Sequence, residues 1–258
     1  MISHLISGDT VTVFVNNKLY AASKGTEKYE TCMQYLRDGA PEEAFEDLFD
    51  IHKLVSSFSN GELVITGSEI CYRGEKVHSV VADKLLELVR SGNPYTPLAN
   101  FLVRLMRNPS SRAVETFYSF MTNVGLPITD DGMVVGWKAV NEDYTDKYTG
   151  TLDNRVGTVR SCGRNKVDDD PKEACSHGFH IGSLRYAAEI FGSPRAGDRV
   201  MSVLIDPEHV VCVPHDHDFQ KVRVCWYKVI GEVENPLELL ENIDSVKPRY
   251  GEEYGPVH

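Results

Sequence analysis

The residues best suited to chemistry cluster in the second half of the chain. Cys162, Cys175, His177 and His180 follow one another as Cys-x12-Cys-x-His-x2-His, and thiolate and imidazole are the usual ligands of tetrahedral zinc. Structural zinc sites draw their ligands in close pairs, and this spacing matches no standard closed pattern. No metal is therefore expected, and the four residues stand only as an alternative. Asp168-Asp169-Asp170 lies between them. Without the glycine and distal glutamate of an EF-hand loop it reads as a solvated acidic turn, not a calcium site. His215-Asp216-His217-Asp218 is a second cluster. On an extended segment His215 and His217 would point to one side, and a polar turn between two strands is the simpler reading. Cys175 and His177 are too close in sequence to serve as nucleophile and base, which normally come together from distant segments. G-x-S-x-G, G-x-x-x-x-G-K-[ST], H-E-x-x-H and G-x-G-x-x-G are absent from the sequence. The residues thus favour a binding protein over an enzyme, and no cofactor is expected.

The elements that must position these residues form two parts. The first contains an internal duplication. Val11-Thr12-Val13-Phe14-Val15, a turn at Asn16-Asn17 and Leu19-Tyr20-Ala21 predict one hairpin. Leu63-Val64-Ile65-Thr66, a turn at Gly67-Ser68 and Ile70-Cys71-Tyr72 predict another. A helical run follows each and stops at Gly39-Ala40-Pro41 or Gly92-Asn93-Pro94. Glycine adopts the left-handed conformation after the last turn, and proline cannot continue the helix. A further helical segment follows in each copy, Ala44–Leu54 and Leu98–Met106. The repeat units run about 10–54 and 62–107, and such units can pack as a pseudo-symmetric pair. A connector helix over Arg112–Met121, capped by Ser110 or Ser111 and ended by Gly125-Leu126-Pro127, completes a domain of 1–125. The second domain, 126–258, reads as mainly β with one clear helix. Its predicted strands are Met133–Val140, Gly178–Ile181, Arg199–Ile205, Val210–Val213 and Val222–Val233. Its helix is Ser183–Phe191, and an acidic tail follows Asn242. The fold class is α+β. A polar loop over Asn141–Ser176 is long enough to be functional or mobile.

Composition narrows the classes further. The chain has 258 residues, 41% hydrophobic and 25% charged, with a formal net charge of −11. These fractions suit a folded soluble domain, and the acidic balance argues against a general nucleic-acid binder or direct binding to anionic lipid. No stretch reaches the roughly 18 apolar residues that span a bilayer. The N-terminus has neither a basic region nor an apolar core, so no signal peptide is expected. The six cysteines form no CxxC pair and read as free thiols in a reducing compartment.

Several separated motifs carry a family resemblance. Tyr148-Thr149-Gly150-Thr151-Leu152-Asp153-Asn154-Arg155-Val156-Gly157 is followed by Arg164-Asn165-Lys166-Val167-Asp168-Asp169-Asp170-Pro171 and Cys175-Ser176-His177-Gly178-Phe179-His180. Asp206-Pro207, Val210-Val211, Val213-Pro214 and Arg223-Val224-Cys225 come later. In this order, over about 126–233, they resemble the rIIB-type lysis-timing proteins of T-even and related bacteriophages. The resemblance implies a viral protein made inside an infected bacterium, in the host cytoplasm or peripheral to the inner membrane. It implies a role in lysis inhibition or in evading prophage and host exclusion. The implied partner is a larger rIIA-type phage protein or a host defence protein. It carries no catalytic residues. On this reading the interaction surface is the long loop, with Asp153, Asn154, Arg164, Asn165, Lys166, Asp168 and Asp169 as candidates, together with the duplicated units.

A second similarity is to the order of elements in ADP-ribosyltransferases. Gly178-Phe179-His180-Ile181, a small-residue helix and a later strand would line a nicotinamide pocket. His180 would stand at the family's tyrosine position and Trp137 on the first strand. The catalytic glutamate has no clear match, Asp216 or Asp218 being nearest. This alternative predicts that Trp137, His180, Asp216 and Asp218 converge on one pocket that binds or uses NAD.

Overall fold

The computed structural model describes residues 2–50, 61–66, 69–77, 79–91, 93–215 and 219–245. The mixed architecture matches the expected α+β class, and the chain divides into two compact units, 1–103 and 104–258.

The first unit holds both repeat copies. Copy one is the antiparallel meander β1 (Ser3–Ser7), β2 (Thr10–Val15) and β3 (Lys18–Ser23), then α1 (Glu27–Asp38) and α2 (Glu42–Phe49). Alternation along β2 buries Val11, Val13 and Val15 and turns Phe14 outward. The inward set packs with Cys32 of α1 and Phe45 of α2. Tyr20 stacks on Phe49 at 5.0 Å between ring centres. Thr26 caps α1 through its side chain, and Gly39 ends it at φ 65°, as the Gly-x-Pro pattern predicts.

Copy two is β4 (Leu63–Thr66), β5 (Glu69–Tyr72) and β6 (Glu75–Lys76), then α3 (Val80–Ser91) and α4 (Thr96–Met106). Its inward face is Leu63, Ile65, Ile70 and Tyr72, against a stripe of Val81, Leu85 and Val89 on α3. The expected turn at Gly67-Ser68, the stop at Gly92 and the end of the first unit, 51–54, lie outside the described residues.

The duplication differs from the predicted one in strand matching. The sequence pairs the β2–β3 hairpin with β4–β5. In the structure each copy is a three-stranded meander whose middle strand is β2 or β5; the first helix of copy one packs on β2 and β3, and that of copy two on β5. β2 therefore corresponds to β5. The matching turns are Asn16-Asn17 and Arg73-Gly74, all four residues at positive φ. β6 is only two residues long, and β1 shows little β-versus-turn contrast, so neither stood out.

The second unit opens with α5 (Ser111–Val124), capped by Ser110 and ended at Gly125 (φ 71°). It packs against β11 (Val210–Cys212). A seven-stranded antiparallel sheet runs β11-β12-β9-β7-β10-β13-β8. Here β7 is Val134–Val140, β8 Val159–Ser161, β9 Phe179–Gly182, β10 Arg199–Ile205, β12 Lys221–Val224 and β13 Trp226–Glu232. The single strand expected over 222–233 is broken at Cys225. Its first half pairs with β9 and its second with β10, while β7 lies between those two. Continuous chain cannot reach both unless the sheet curls back on itself. The concave face so formed is packed with Ile181, Met201, Val203, Val222, Val224, Tyr227 and Val229, each fully buried. Gly136 faces it because a Cβ there would come within 2.6 Å of the Ile181 side chain. The expected helix over 183–191 is present over 184–190, its last five residues, Tyr186–Ile190, in π-helical form. The segment before the tail forms α6 (Pro236–Ser245), whose Leu240 packs with Leu184, Ala187, Ala188 and Val200.

Candidate functional site

The convex face of β9 and β12 carries a row of cations. Arg223 lies directly across from His180, and Lys221 across from Gly182. The same register places Gly182 opposite Trp137. Lys221 is 2% exposed and Arg223 is fully buried. Buried cations need acceptors, and the chain supplies them from the backbone of 170–176. The Arg223 guanidinium donates to the carbonyls of Glu173 (2.8 Å) and Asp170 (2.5 Å), and Lys221 donates to Ala174 O (2.5 Å). His180 Nε2 is 3.0 Å from Ser176 O. The segment 170–176 is thus a strap tied down by three side chains of the sheet. Among the described residues no carboxylate pairs with Arg223, and its Nε has no hydrogen-bond partner. Burial, with the charges of Lys221 and Lys138 added, pushes the His180 imidazole down to about 4, so it is neutral at physiological pH.

A second arrangement closes the loop that leads to the strap. Asp146 accepts hydrogen bonds from the amides of Tyr148, Thr149, Thr151 and Leu152 and from the Thr149 hydroxyl. Burial opposes its ionisation, and these donors outweigh burial, holding the carboxyl below its usual range. Asn154, fully buried, donates to the carbonyls of Tyr144 and Leu152 and accepts from the Tyr227 hydroxyl at 2.5 Å. Lys138 donates to His180 O at 3.3 Å and lies 5.6 Å from the centre of the Tyr227 ring. Burial draws its ammonium down to about 8, partly offset by Asp146.

The loop candidates divide between staple and surface. Arg164 is a staple, donating to Glu208 O, Val210 O and Asn108 Oδ1. Asn154 is structural. Asn165 and Lys166 stand exposed on the single helical turn that Arg164 opens. Asp169 is also exposed, and its carbonyl accepts from Arg112. The Asp168 carboxylate accepts from the Asp170 amide and is held below its usual range, first by the Ser176 hydroxyl. Asp153 pairs at the surface with Arg155 at 2.9 Å.

The Cys162, Cys175, His177 and His180 set is not brought together. Cys162 packs with Val167, Val211 and Cys225, Cys175 is exposed, and His180 is tied to Ser176. No cluster of three or more metal-ligating side chains occurs among the described residues. Of the proposed pocket, Trp137 and His180 share the convex face, while Asp216 and Asp218 lie outside the described residues. Trp137 packs against the cluster of Leu184, Ala187, Ala188, Val200 and Leu240.

The family model described as Bacteriophage T4 protein rIIB matches residues 52–242. The chain is 30% identical over 224 residues to Protein rIIB of Enterobacteria phage T4, covering 86% of this chain and 70% of that protein. This chain belongs to the rIIB family. No solved structure matches it. The family match covers both arrangements around 141–176 as well as copy two. No helix among the described residues is long and apolar enough to cross a membrane.

The sequence reading named His180 but missed Lys221, Arg223, Lys138, Asp146 and Tyr227. Lys221-Val222-Arg223-Val224 alternates charged and apolar residues, which reads as a strand with one solvent face. Only the strap, invisible to periodicity, makes that face interior.

Proposed function

We propose that this rIIB-family chain is a non-enzymatic interaction protein that binds a larger rIIA-type phage protein or a host defence protein. It thereby sets lysis timing or protects the infection against exclusion, acting in the host cytoplasm or at the inner-membrane periphery. The observation that carries this reading is rigid display. Asn165, Lys166 and Asp169 are exposed on backbone that Arg164 and Arg223 anchor to the sheet. A surface fixed before binding loses little entropy on association. The NAD alternative has no comparable observation behind it, since Asp216 and Asp218 lie outside the described residues.

The test replaces the phage gene with one encoding Asn165→Ala, Lys166→Ala and Asp169→Ala together. These side chains are solvated, so the melting temperature should stay unchanged, while lysis timing shifts and co-purification of the rIIA-type protein drops at least tenfold. Normal timing and undiminished co-purification with the folded variant would reject the proposal.

A further inference from the structure

We infer that β1 is the seam of a homodimer, in which β1 of one chain pairs antiparallel with β1 of a second copy about a two-fold axis at Leu5. β1 ends its sheet, and among the described residues it pairs only with β2. All five of its residues are exposed, and a bare strand edge is a template for a further strand.

The backbone sets the register. The two-residue turns Gly8-Asp9 and Asn16-Asn17 close on the pairs Ser7–Thr10 and Val15–Lys18. In hairpins of that length the closing pair exchanges its backbone hydrogen bonds, and bonding then alternates along the strand. Ser3, Leu5 and Ser7 therefore bond to β2, while the N–H and C=O of His4 and Ile6 aim at the open edge. Two-fold pairing about Leu5 puts His4 opposite Ile6 of the second copy, and Ile6 opposite its His4. Each of these N–H groups then donates to a carbonyl across the seam. Leu5 meets Leu5 of the second copy as a non-hydrogen-bonded pair, the kind whose side chains approach closest.

Side chains and charge favour a second copy as the occupant. Leu5 is 64% exposed and shares the outer face of the sheet with Phe14 and Leu19, 46% and 71% exposed. Pairing buries the two Leu5 side chains against each other and joins the two patches into one strip. On the inner face Ile6, 47% exposed, is covered by His4 of the second copy. Edge strands are normally guarded by a charge, by shortness or by a covering element. β3 opens at Lys18, β6 is only Glu75–Lys76, β8 carries Arg160, and α5 packs on β11. β4 is uncharged, but Leu63 and Ile65 are buried within it. β1 holds no Asp, Glu, Lys or Arg, so nothing in it repels its own image across the axis.

The test is sedimentation velocity of the full-length chain from about 1 μM to about 1 mM, with hydrogen exchange of the β1 amides followed over the same range. A seam of a few backbone hydrogen bonds and a small apolar strip belongs with weak, transient interfaces, so a monomer–dimer equilibrium with a Kd of about 100 μM is expected. The amides of His4 and Ile6 should gain protection as the dimer forms, whereas that of Leu5, already bonded to β2, should not change. Leu5→Lys should weaken dimerisation at least tenfold with no fall in melting temperature, because the side chain is solvated in the monomer and two ammonium groups would meet across the axis. Leu5→Glu should do the same, and mixing the two variants should restore a heterodimer, since the register sets residue 5 against residue 5. A chain still monomeric at about 1 mM, ten times that Kd, overturns the proposal. So does a dimer that the folded Leu5→Lys variant forms undiminished, a pair of variants that stay apart when mixed, or a dimer whose His4 and Ile6 amides remain unprotected. Protection of those amides only on addition of the rIIA-type protein also overturns it, by making a strand of that protein the occupant.

Discussion

The two units bury different things. Among the described residues every buried polar or charged side chain (Asn108, Asp146, Asn154, Ser183, Lys221 and Arg223) belongs to 104–258, while the buried set of 2–103 is entirely hydrophobic. The repeat unit satisfies its backbone within strands and helices and needs only an apolar interior. The sheet unit carries a long irregular segment whose carbonyls and amides find no ladder. Buried Arg223, Lys221, Asn154 and Asp146 take that role instead. The contrast teaches that polar burial here is the means of fixing loop backbone, and that the loops it fixes hold the candidate interaction surface.

Removing one such group should have the largest effect. Arg223→Ala leaves the carbonyls of Asp170 and Glu173 unpaired and is expected to lower stability by about 4 kcal/mol. Urea unfolding measures the loss, and faster labelling of Cys212 by a thiol reagent reports release of the strap. Arg223→Met, which keeps the volume, should cost about half as much; equal stability for all three proteins would erase the contrast.

Acid should act on the sheet unit alone. His180 titrates near 4 in the folded chain and near 6.5 when unfolded. Between these values the unfolded chain binds the extra proton, so stability is fully present above pH 6.5 and is lost as pH falls toward 4. The loss amounts to about 3 kcal/mol. His180→Gln should flatten that slope in a pH series of melting temperatures. By contrast Val13→Ala, in the repeat unit, is expected to cost about 2 kcal/mol through lost burial and a residual cavity, equally at pH 5 and pH 8. Hydrogen exchange resolved by residue assigns each loss to its unit.

Two smaller effects sharpen the picture. Lys138 has its folded value drawn down to about 8 from 10.5, so its charged form is disfavoured in the native state. Stability from this group should therefore rise as pH climbs from 8 to 10.5, and Lys138→Met should raise stability by about 1 kcal/mol while removing that rise. Asp153→Asn breaks only an exposed pair with Arg155 and should change the melting free energy by no more than about 0.5 kcal/mol. A larger loss would mean that the outer part of the loop bears load as well.

Legibility followed the same division. The end of α4 at Met106, the glycine stops at Gly39 and Gly125 and the cap at Ser110 could be read directly, because caps and periodic burial are local. Two 12-residue helices begin 53 positions apart, yet the strands of the proposed copies were matched one place off, because short β6 and exposed β1 lack an alternating pattern. The segment 141–176, read as one polar loop, contains the edge strand β8 paired to β13 and a helical turn at Arg164–Lys166, because β8 is only three residues long and carries no alternating pattern. Asn154, expected at the surface, is a fully buried bridge to Tyr227, and Arg164 is a staple rather than a contact. Nothing in the local pattern separates an asparagine that faces water from one that faces a tyrosine 73 residues later.

What the sequence determined by itself was the class, the family, the cap at Ser110 and the helix stops at Gly39 and Gly125, since each rests on residue type and spacing within one segment. The tertiary structure alone decided that strand 221–232 breaks at Cys225 and curls the sheet. It also decided that a row of apparently solvent-facing cations lies under a strap. Those outcomes depend on which distant backbone or side chain arrives opposite a residue, and desolvation makes that arrival decisive without leaving a trace in local periodicity.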